Sequence, residues 1–259
     1  MLERLGPTDA PVASWSTAAA PVLVIGRGGR PGEVNLARCR AAGLPVLARG
    51  SGGGPVLWDA GLVALDVVVP PGHPLADRDV TGAYAWLGTA VARALAEFGV
   101  PAAAIPLAEA RAAQARTDPG SRLAARSCFG GISPFEVVDP AGRKFVGLAQ
   151  VRRAAGSIFQ CGIALEFDAH ALGTVLGRDA ADAAALTAAL EARVVAVHAY
   201  RPELTAGEVV AAVEAELARA LGVTLEAAGL RPDELAAQSR LAAALIAATP
   251  ASATGPASP

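Results

Sequence analysis

Residues 139–150, DPAGRKFVGLAQ, combine a tight turn with the start of a strand that carries the only lysine of the chain. Proline at the second position of the turn and glycine at its fourth are typical of a four-residue β-turn. The turn therefore joins a predicted strand at 135–138 to a return strand that begins at Lys144. Side chains alternate between the two faces of a strand, which predicts a common face for Lys144, Val146, Leu148 and Gln150.

The lysine is unusual because the other 21 of the 22 basic residues are arginine. A guanidinium group stays charged and forms planar forks, whereas an ammonium is a compact point charge whose pKa shifts readily on burial. One interpretation is that Lys144 has a specific chemical role. The other is a chance survival on a solvated strand edge, and the lysine alone leaves both open.

Around this hairpin the apolar pattern predicts strands at 22–25, 46–47, 56–57, 62–69 and 157–167, and helices at 33–42 and 79–98. The segments 56–57 and 62–69 are expected to form a hairpin-like pair about a turn at 59–61. After Asp168 the chain is predicted to be mainly helical to about residue 248. Strands and helices interleave without a regular βαβ repeat. This favours one α/β (α+β) domain over 1–248, with a mixed sheet flanked by helices and a helical C-terminal part.

Two segments give no regular pattern. Residues 101–127 contain prolines at 101, 106 and 119 and are predicted to be an irregular loop, which in a compact domain is either functional or disordered. The tail 249–259 contains only Pro, Ala, Ser, Gly and Thr and is predicted to be disordered, because it has too few apolar side chains to form a core.

Composition excludes several classes of function. The net charge of −2 argues against a nucleic-acid partner held by bulk electrostatics. No run of about 18 uncharged apolar residues predicts a membrane-spanning helix, and no signal peptide is recognisable at Met1. The three cysteines, Cys39, Cys128 and Cys161, are an odd number without metal-ligand spacing, which favours free thiols in a reducing cytoplasm.

The first candidate for a binding site is the glycine-rich segment RGSGGGPVLWD, residues 49–59. Successive glycines allow backbone N–H groups to approach a ligand carbonyl or phosphate without interference from a Cβ atom. The segment is not a Walker loop, because no Gly-Lys-Ser/Thr follows. A flexible turn is the alternative interpretation.

The second candidate is Cys128 in RSCFGG, residues 126–131. It is predicted to lie in a loop beside Arg126, where a cation would favour the thiolate, the nucleophilic form of cysteine. A buried inert thiol is the alternative. Cys39, on a predicted helix, is interpreted as an incidental surface or half-buried thiol, and Cys161, in an apolar strand, as part of the core.

The histidines do not indicate a catalytic triad or a metal site. His73, His170 and His198 are scattered, and none stands near a serine and acid pair in the sequence. A Ser-His-Asp hydrolase and a metal centre are therefore not predicted.

Three segments in this order resemble the lipoate/biotin–protein ligase superfamily, on its lipoate side. They are VLVIGR at 22–27, RGSGGGPVLWD at 49–59 and GRKFVGLAQ at 142–150. The glycine loop alone is a weak signal, but its pairing with the lysine segment is specific. The resemblance covers roughly residues 15–245 and implies the biotin/lipoate protein ligase-like fold.

The superfamily contains ATP-dependent ligases and cysteine-dependent transferases, and three features are more similar to the transferases. Cys128 stands 16 residues before Lys144, where the transferases have their nucleophile. Trp58-Asp59 replaces the usual His-Asp of ligases, and Cys161-Gly162 replaces their His-Gly. The segment 144–153 is similar to the amidotransferase subgroup that moves octanoyl groups from the glycine-cleavage H protein to E2 subunits.

This resemblance implies an octanoyl or lipoyl transferase in which Cys128 forms a thioester and Lys144 contacts the acyl carbonyl. The implied acyl-binding residues are Arg49, Ser51, Gly52, Gly53, Gly54, Val56, Gly147 and Gln150. The implied donor is the H protein or an acyl carrier protein, and the implied acceptor is a lipoyl domain of a 2-oxoacid dehydrogenase E2 subunit. The transferase needs no cofactor. A lipoate ligase that uses ATP and Mg²⁺ and a non-catalytic binder of lipoyl domains are the alternatives.

The chain departs from the family at three places. One is the glycine-containing loop between Cys128 and the next strand, which is longer than usual. Pro55 follows the glycines, where the family commonly has alanine. The family also opens with a strand and an acidic helix before the position of Trp15, so an N-terminal edge element is expected to be missing or encoded upstream of Met1.

Overall fold

A computed structural model describes residues 6–28, 33–76, 78–230, 232, 234–236 and 239–240. Within them the strands are β1 Val12–Ser16, β2 Val22–Ile25, β3 Val46–Ala48, β4 Val56–Trp58, β5 Leu62–Val69, β6 Ala103–Ala104, β7 Val137–Val138, β8 Lys144–Arg153 and β9 Gly156–Ala164. The α-helices are α1 Leu36–Ala41, α2 Ala85–Glu97, α3 Leu107–Gln114, α4 Pro119–Ala124, α5 Ala169–Leu176, α6 Ala180–Glu191 and α7 Ala206–Leu221.

The larger sheet has six strands in the order β1-β5-β9-β8-β7-β6, and every neighbouring pair is antiparallel. Its long central strands β5, β8 and β9 alternate side chains between two faces. One face carries the main core, where Leu65, Phe159 and Ile163 pack with side chains of α2 and α7 and are inaccessible to solvent. The opposite face is left for a second layer.

That second layer is a three-stranded sheet in the order β3-β2-β4, with β2 parallel to β3 and antiparallel to β4. Helices α1, α5 and α6 cover it with a second core that includes Leu23, Leu172 and Leu186. The predicted α+β fold with flanking helices is therefore confirmed. Among the described strands, the parallel strand pair is β2 with β3, and an isolated parallel bridge also joins Lys144 of β8 to Val194.

The predicted hairpin between 56–57 and 62–69 is wrong. β4 pairs with β2, and β5 belongs to the other sheet. Both edges of β5 are already occupied by β1 and β9, so no edge remains for β4. The turn at Asp59–Gly61, where Leu62 N donates to Asp59 O at 3.2 Å, carries the chain from one sheet to the other.

The prediction of an irregular loop at 101–127 is also wrong, because β6, α3 and α4 lie there. The prolines begin the helices instead of interrupting them. Pro106 is the N-cap of α3, and Pro119 occupies the first turn of α4, where proline is tolerated because the first N–H groups of a helix have no intrahelical partner. Asp118 caps α4 by accepting from Ser121 N at 2.9 Å.

Other boundaries shift by a few residues. The helix predicted at 79–98 is a short 3₁₀ turn at Gly82–Tyr84 followed by α2, and the strand predicted at 135–138 is reduced to β7. The turn at 139–142 is confirmed by the bond from Gly142 N to Asp139 O at 2.9 Å. Helices α5 to α7 confirm the helical C-terminal part, while residues 1–5, 241–248 and the tail lie outside the described residues. Over the part of the chain that is described, no helix is long and apolar enough to cross a membrane.

Candidate functional site

A cavity of about 130 Å³ lies between the two sheets. The large sheet forms its floor, in which four small residues lie among larger ones, namely Ala64, Gly147, Ala149 and Gly162. Its roof comes from the small sheet and includes Val24, Val56 and Trp58. Because these four residues have side chains no larger than a methyl group, a trough remains between the layers in which an apolar ligand could lie.

The glycine loop forms one wall of this cavity. Arg49 holds the loop in shape: its guanidinium donates to Gly52 O at 2.8 Å and to Gly54 O at 3.1 Å. Gly53 has a φ of 98°, which favours glycine. Of the predicted binding residues of this segment, the structure brings Arg49, Ser51 and Val56 to the cavity lining.

The loop that carries Cys128 packs directly on the glycine loop. A Cβ atom on Gly54 would lie 2.8 Å from Cys128 N, and one on Gly53 would lie 3.4 Å from Cys128 Sγ. Cys128 N also donates to Pro55 O at 3.1 Å, and Ser127 Oγ donates to the same oxygen at 3.3 Å. The glycines are therefore needed for the close approach of two backbones.

The three thiols differ in their surroundings. Cys128 is partly exposed and lines the cavity. Cys39 is 1% exposed and packs in the second core, so its interpretation as a surface or half-buried thiol is wrong. Burial raises its thiol pKa. Cys161 is 2% exposed and packs in the main core, which confirms its interpretation as a core residue, and burial raises its thiol pKa far above the usual range. A thiol must ionise to act as a nucleophile, so the surroundings of Cys39 and Cys161 disfavour that role.

Lys144 is 1% exposed, and the solvated-edge interpretation is therefore wrong. Its ammonium donates to Glu136 Oε2 at 2.9 Å and to the backbone oxygen of Cys128 at 2.7 Å. It also lies 5.5 Å from the centroid of the Phe129 ring, within the range of a cation–π contact. Lys144 is not among the residues that line the cavity, whereas Cys128 and Phe129 are.

The orientation of Lys144 also differs from the predicted common face with Val146 and Leu148. The register between β7 and β8 shifts, because Val138 is opposite Lys144 and Val137 is opposite Val146. One extra residue on β8, Phe145, interrupts the alternation, as in a β-bulge. Phe145 and Val146 both pack in the main core, while the amine of Lys144 reaches the cysteine loop.

Sequence reasoning missed Glu136, which is 2% exposed. Its carboxylate accepts from Lys144 Nζ, from Ser133 N at 2.6 Å and from Leu148 N at 3.1 Å. Burial raises the pKa of Glu136, and the adjacent ammonium and the two N–H groups oppose that shift. The available signal was an acidic residue in an apolar strand across the hairpin from the lysine.

The ring of Phe129 packs on two glycines of the large sheet and so fixes the other side of the cysteine loop. Gly147 and Gly162 are register partners on β8 and β9, and a Cβ atom on either would lie 3.7 Å from the ring of Phe129. The ring next to Cys128 thus rests on a flat part of the sheet. The predicted position Gly147 therefore lies in the floor of the cavity, directly beneath the Phe129 ring.

Two predicted residues lie elsewhere. Gln150 does not line the cavity; its amide donates to Val80 O at 2.6 Å, and its oxygen accepts from Arg152 Nε at 2.8 Å. Arg126 forms an ion pair with Asp182 at 2.8 Å and donates to the oxygen of Leu176. Its charge therefore anchors the loop to α5 and α6 instead of facing the thiol.

Two polar atoms beside the cavity are buried and have no hydrogen-bond partner among the described residues: Ser51 Oγ and Trp58 Nε1. A buried polar group without a partner is unfavourable. A ligand that brings an oxygen acceptor to this wall would remove that cost. In the part of the chain that the structure describes, no group of three or more His, Cys, Asp or Glu side chains could hold a metal ion.

Residues 3–218 match the family model described as the lipoyl protein ligase A/B catalytic domain. The match covers far more than half of the chain and includes the glycine loop, Cys128 and Lys144. The chain belongs to this family. It is thus an enzyme of the lipoyl/octanoyl protein ligase and transferase family, which the sequence resemblance anticipated at that level.

Solved structures of family members have the same fold. A bipartite lipoate protein ligase from Thermoplasma acidophilum, described with its E2 lipoyl domain, superposes with a TM-score of 0.72 at 20% identity, over 93% of this chain and 82% of that chain. A lipoate-protein ligase A bound with ATP superposes with a TM-score of 0.71 at 18% identity, over 93% of this chain and 84% of that chain. LipL1 of P. falciparum, in complex with lipoate, superposes with a TM-score of 0.56 at 16% identity, over 82% of this chain and 50% of that chain. No curated protein sequence matches the chain.

Proposed function

We propose that the protein is an acyltransferase that carries an octanoyl or lipoyl group on Cys128 as a thioester and passes it to a lysine of a lipoyl domain. The observation that carries this proposal is the position of Cys128. It is a partly exposed thiol at the wall of a mainly apolar cavity, held between the glycine loop and a buried lysine.

The reaction has two steps. In the first, the Cys128 sulfur bonds to the carbonyl carbon of the donor while the bond to the leaving group breaks. The thiol proton passes to the leaving amine or thiol, which departs neutral. In the second, the amine of the acceptor lysine attacks the thioester and forms an amide, and the proton it loses returns to the sulfur. Neither step consumes ATP, because each bond that breaks is replaced by another acyl bond.

The surrounding residues have distinct roles in this proposal. The floor of Ala64, Gly147, Ala149 and Gly162 accommodates the methylene chain, and each buried CH₂ contributes about 0.8 kcal/mol. Ser51 and Trp58 supply donors to an acyl oxygen. Lys144 fixes the cysteine loop through the Cys128 carbonyl and adds a positive charge where negative charge develops in the transition state.

The proposed acyl donor is the glycine-cleavage H protein or an acyl carrier protein, and the proposed acceptor is an E2 lipoyl domain. The Thermoplasma relative, which is described with its E2 lipoyl domain, supports the choice of acceptor. The choice of a transferase over a ligase rests on Cys128, since a ligase would activate the free acid with ATP and would not need a thiol at this wall.

The test is intact-mass measurement after the protein is mixed with octanoyl-H protein or with octanoyl acyl carrier protein, in the absence of ATP. A gain of one octanoyl group that hydroxylamine removes, and that Cys128→Ser abolishes, is expected. Cys39→Ser is the matched control, because Cys39 is buried in α1 away from the cavity lining, and it should acylate like the wild type.

A second arm adds ATP, Mg²⁺ and free octanoate or lipoate with a lipoyl domain. Acylation only in this arm, unaffected by Cys128→Ser, would identify a ligase and contradict the proposal. Binding of the lipoyl domain without acyl transfer in either arm would identify a non-catalytic binder.

A further inference from the structure

The floor of the acyl cavity contains one polar pair that an alkyl chain does not explain. Asp66 on β5 and Gln160 on β9 are register partners, and Gln160 Nε2 donates to Asp66 Oδ1 at 2.9 Å. Both residues line the cavity. The other large-sheet residues that line the cavity are alanine, glycine, leucine and Cys161, so this pair is the charged and amide-bearing part of the floor.

The pair lies away from the end of the cavity at which Cys128 is found. Cys128 and Phe129 pack with Leu62 and Val56, and the Phe129 ring rests on Gly147 and Gly162. Gly162 is opposite Ala64 in the register. Asp66 follows Ala64 by two residues, which corresponds to about 7 Å along the strand. An acyl chain attached to Cys128 and extended along this trough therefore reaches the pair with its distal carbons.

The hydrogen-bonding capacity of the pair is only partly used. Within the described residues, Asp66 Oδ1 accepts a hydrogen bond from Gln160. Asp66 Oδ2 and Gln160 Oε1 accept no hydrogen bond from another described residue. Burial raises the pKa of Asp66, because the ion is poorly solvated there. Methylene groups packed over the pair would strip water from these oxygens and offer no donor in return.

We propose that Asp66 and Gln160 determine acyl specificity, and that the cavity prefers a medium-length chain with a hydroxyl or thiol donor in its distal part over a plain alkyl chain. This inference rests on the proposed acyltransferase function and deepens it. A site built to hydrogen-bond a substrate group discriminates strongly against the analogue that lacks the group, because its own buried polar atoms then stay unpaired.

The test is isothermal titration calorimetry of the full-length protein with three probes: octanoate, 8-hydroxyoctanoate and dihydrolipoate. The wild type is expected to bind the hydroxyl or thiol compounds roughly ten- to a hundred-fold more tightly than octanoate. Asp66→Leu, which replaces the carboxyl by an apolar side chain of similar length, should abolish or reverse this preference. Asp66→Asn, which keeps the shape and a donor and acceptor, should fold even where Asp66→Leu does not and should reduce the preference less.

Glu97→Gln is the matched control, because Glu97 is exposed at the end of α2 and lies outside the cavity; its preference should equal that of the wild type. Tighter binding of octanoate by the wild type, or an Asp66→Leu variant with the wild-type preference, would overturn the inference and leave the acyltransferase function intact. Absence of binding of all three probes, together with absence of acylation on Cys128, would overturn both.

Discussion

The ammonium of Lys144 lies 2.9 Å from the Glu136 carboxylate, and both side chains are at least 98% buried. An ion pair in such a place is costly to form, because both charges leave water, but removal of one partner is more costly still. The same ammonium donates to the Cys128 carbonyl. The pair therefore connects the stability of the hairpin to the position of the proposed nucleophile.

Glu136→Ala is expected to destabilise the protein by about 3–5 kcal/mol, since it leaves the Lys144 charge buried without its carboxylate. The free energy of unfolding from urea denaturation measures this. Glu203→Ala is the control, because Glu203 is an exposed residue whose ion pair with Arg201 is worth little. Equal stabilities of the two variants would show that the buried pair does not hold the hairpin.

The double variant Glu136→Leu/Lys144→Met tests whether acylation at Cys128 needs the buried ion pair. It replaces a buried ion pair by apolar side chains of similar length, a change that is often neutral or stabilising. Here, however, the Ser133 and Leu148 N–H groups and the Cys128 oxygen also lose their partners, and each unpaired buried group costs about 1–3 kcal/mol. We therefore expect a loss of stability together with a large loss of acylation at Cys128 by intact mass. Retention of full acylation would show that the Lys144 charge has no part in the chemistry.

Alanine substitutions at Gly54 and at Gly52, two positions earlier, test whether the contact between the glycine loop and the cysteine loop is needed for acylation. Gly54→Ala would put a methyl group 2.8 Å from Cys128 N and 2.9 Å from Arg126 O, both rigid backbone atoms, so the two loops must separate. A Cβ atom on Gly52 would meet nothing within 4 Å. Gly54→Ala should therefore abolish acylation and lower the melting temperature, whereas Gly52→Ala should leave both nearly unchanged.

Selective alkylation tests the difference among the three thiols. Cys128 is partly exposed, while Cys39 and Cys161 are buried and have raised thiol pKa values, so both stay protonated and shielded. Iodoacetamide at neutral pH should modify Cys128 first, with peptide mass spectrometry as the readout. Octanoyl donor added beforehand should protect that residue; modification of Cys161 at a similar rate would contradict the packing of β9.

Sequence alone predicted the parts of this molecule that local chemistry determines. The turn at 139–142 and strands β2, β3 and β9 follow from proline, glycine and apolar runs. The role of Pro106 and Pro119 was missed because a proline both ends and begins helices, and the sequence did not show which. Cys128 and the glycine loop were predicted as a site, and the structure brings them together.

The contacts that sequence could not predict are those set by register and by long-range pairing. The bulge at Phe145 turns Lys144 toward the cysteine loop, and no residue type in 142–150 predicts a β-bulge at this position. The assignment of β4 to the small sheet depends on which strand edges are free. Glu136 was missed for the same reason, since its role appears only when the hairpin is folded.

Asp66 gives a prediction that depends on pH. Burial raises its folded-state pKa above the ordinary value of 3.8, so the folded protein binds more protons than the unfolded chain once the pH exceeds that value. Stability from this group is therefore present at low pH and is lost as the pH rises through the raised pKa. Asp66→Asn does not titrate, and its stability relative to the wild type should increase from acidic to neutral pH. Glu136 titrates in both proteins and cancels in the difference.

Urea denaturation at a series of pH values measures the free energy of unfolding of Asp66→Asn relative to the wild type. A difference that stays constant with pH would show that Asp66 is not desolvated by the wall of the acyl cavity.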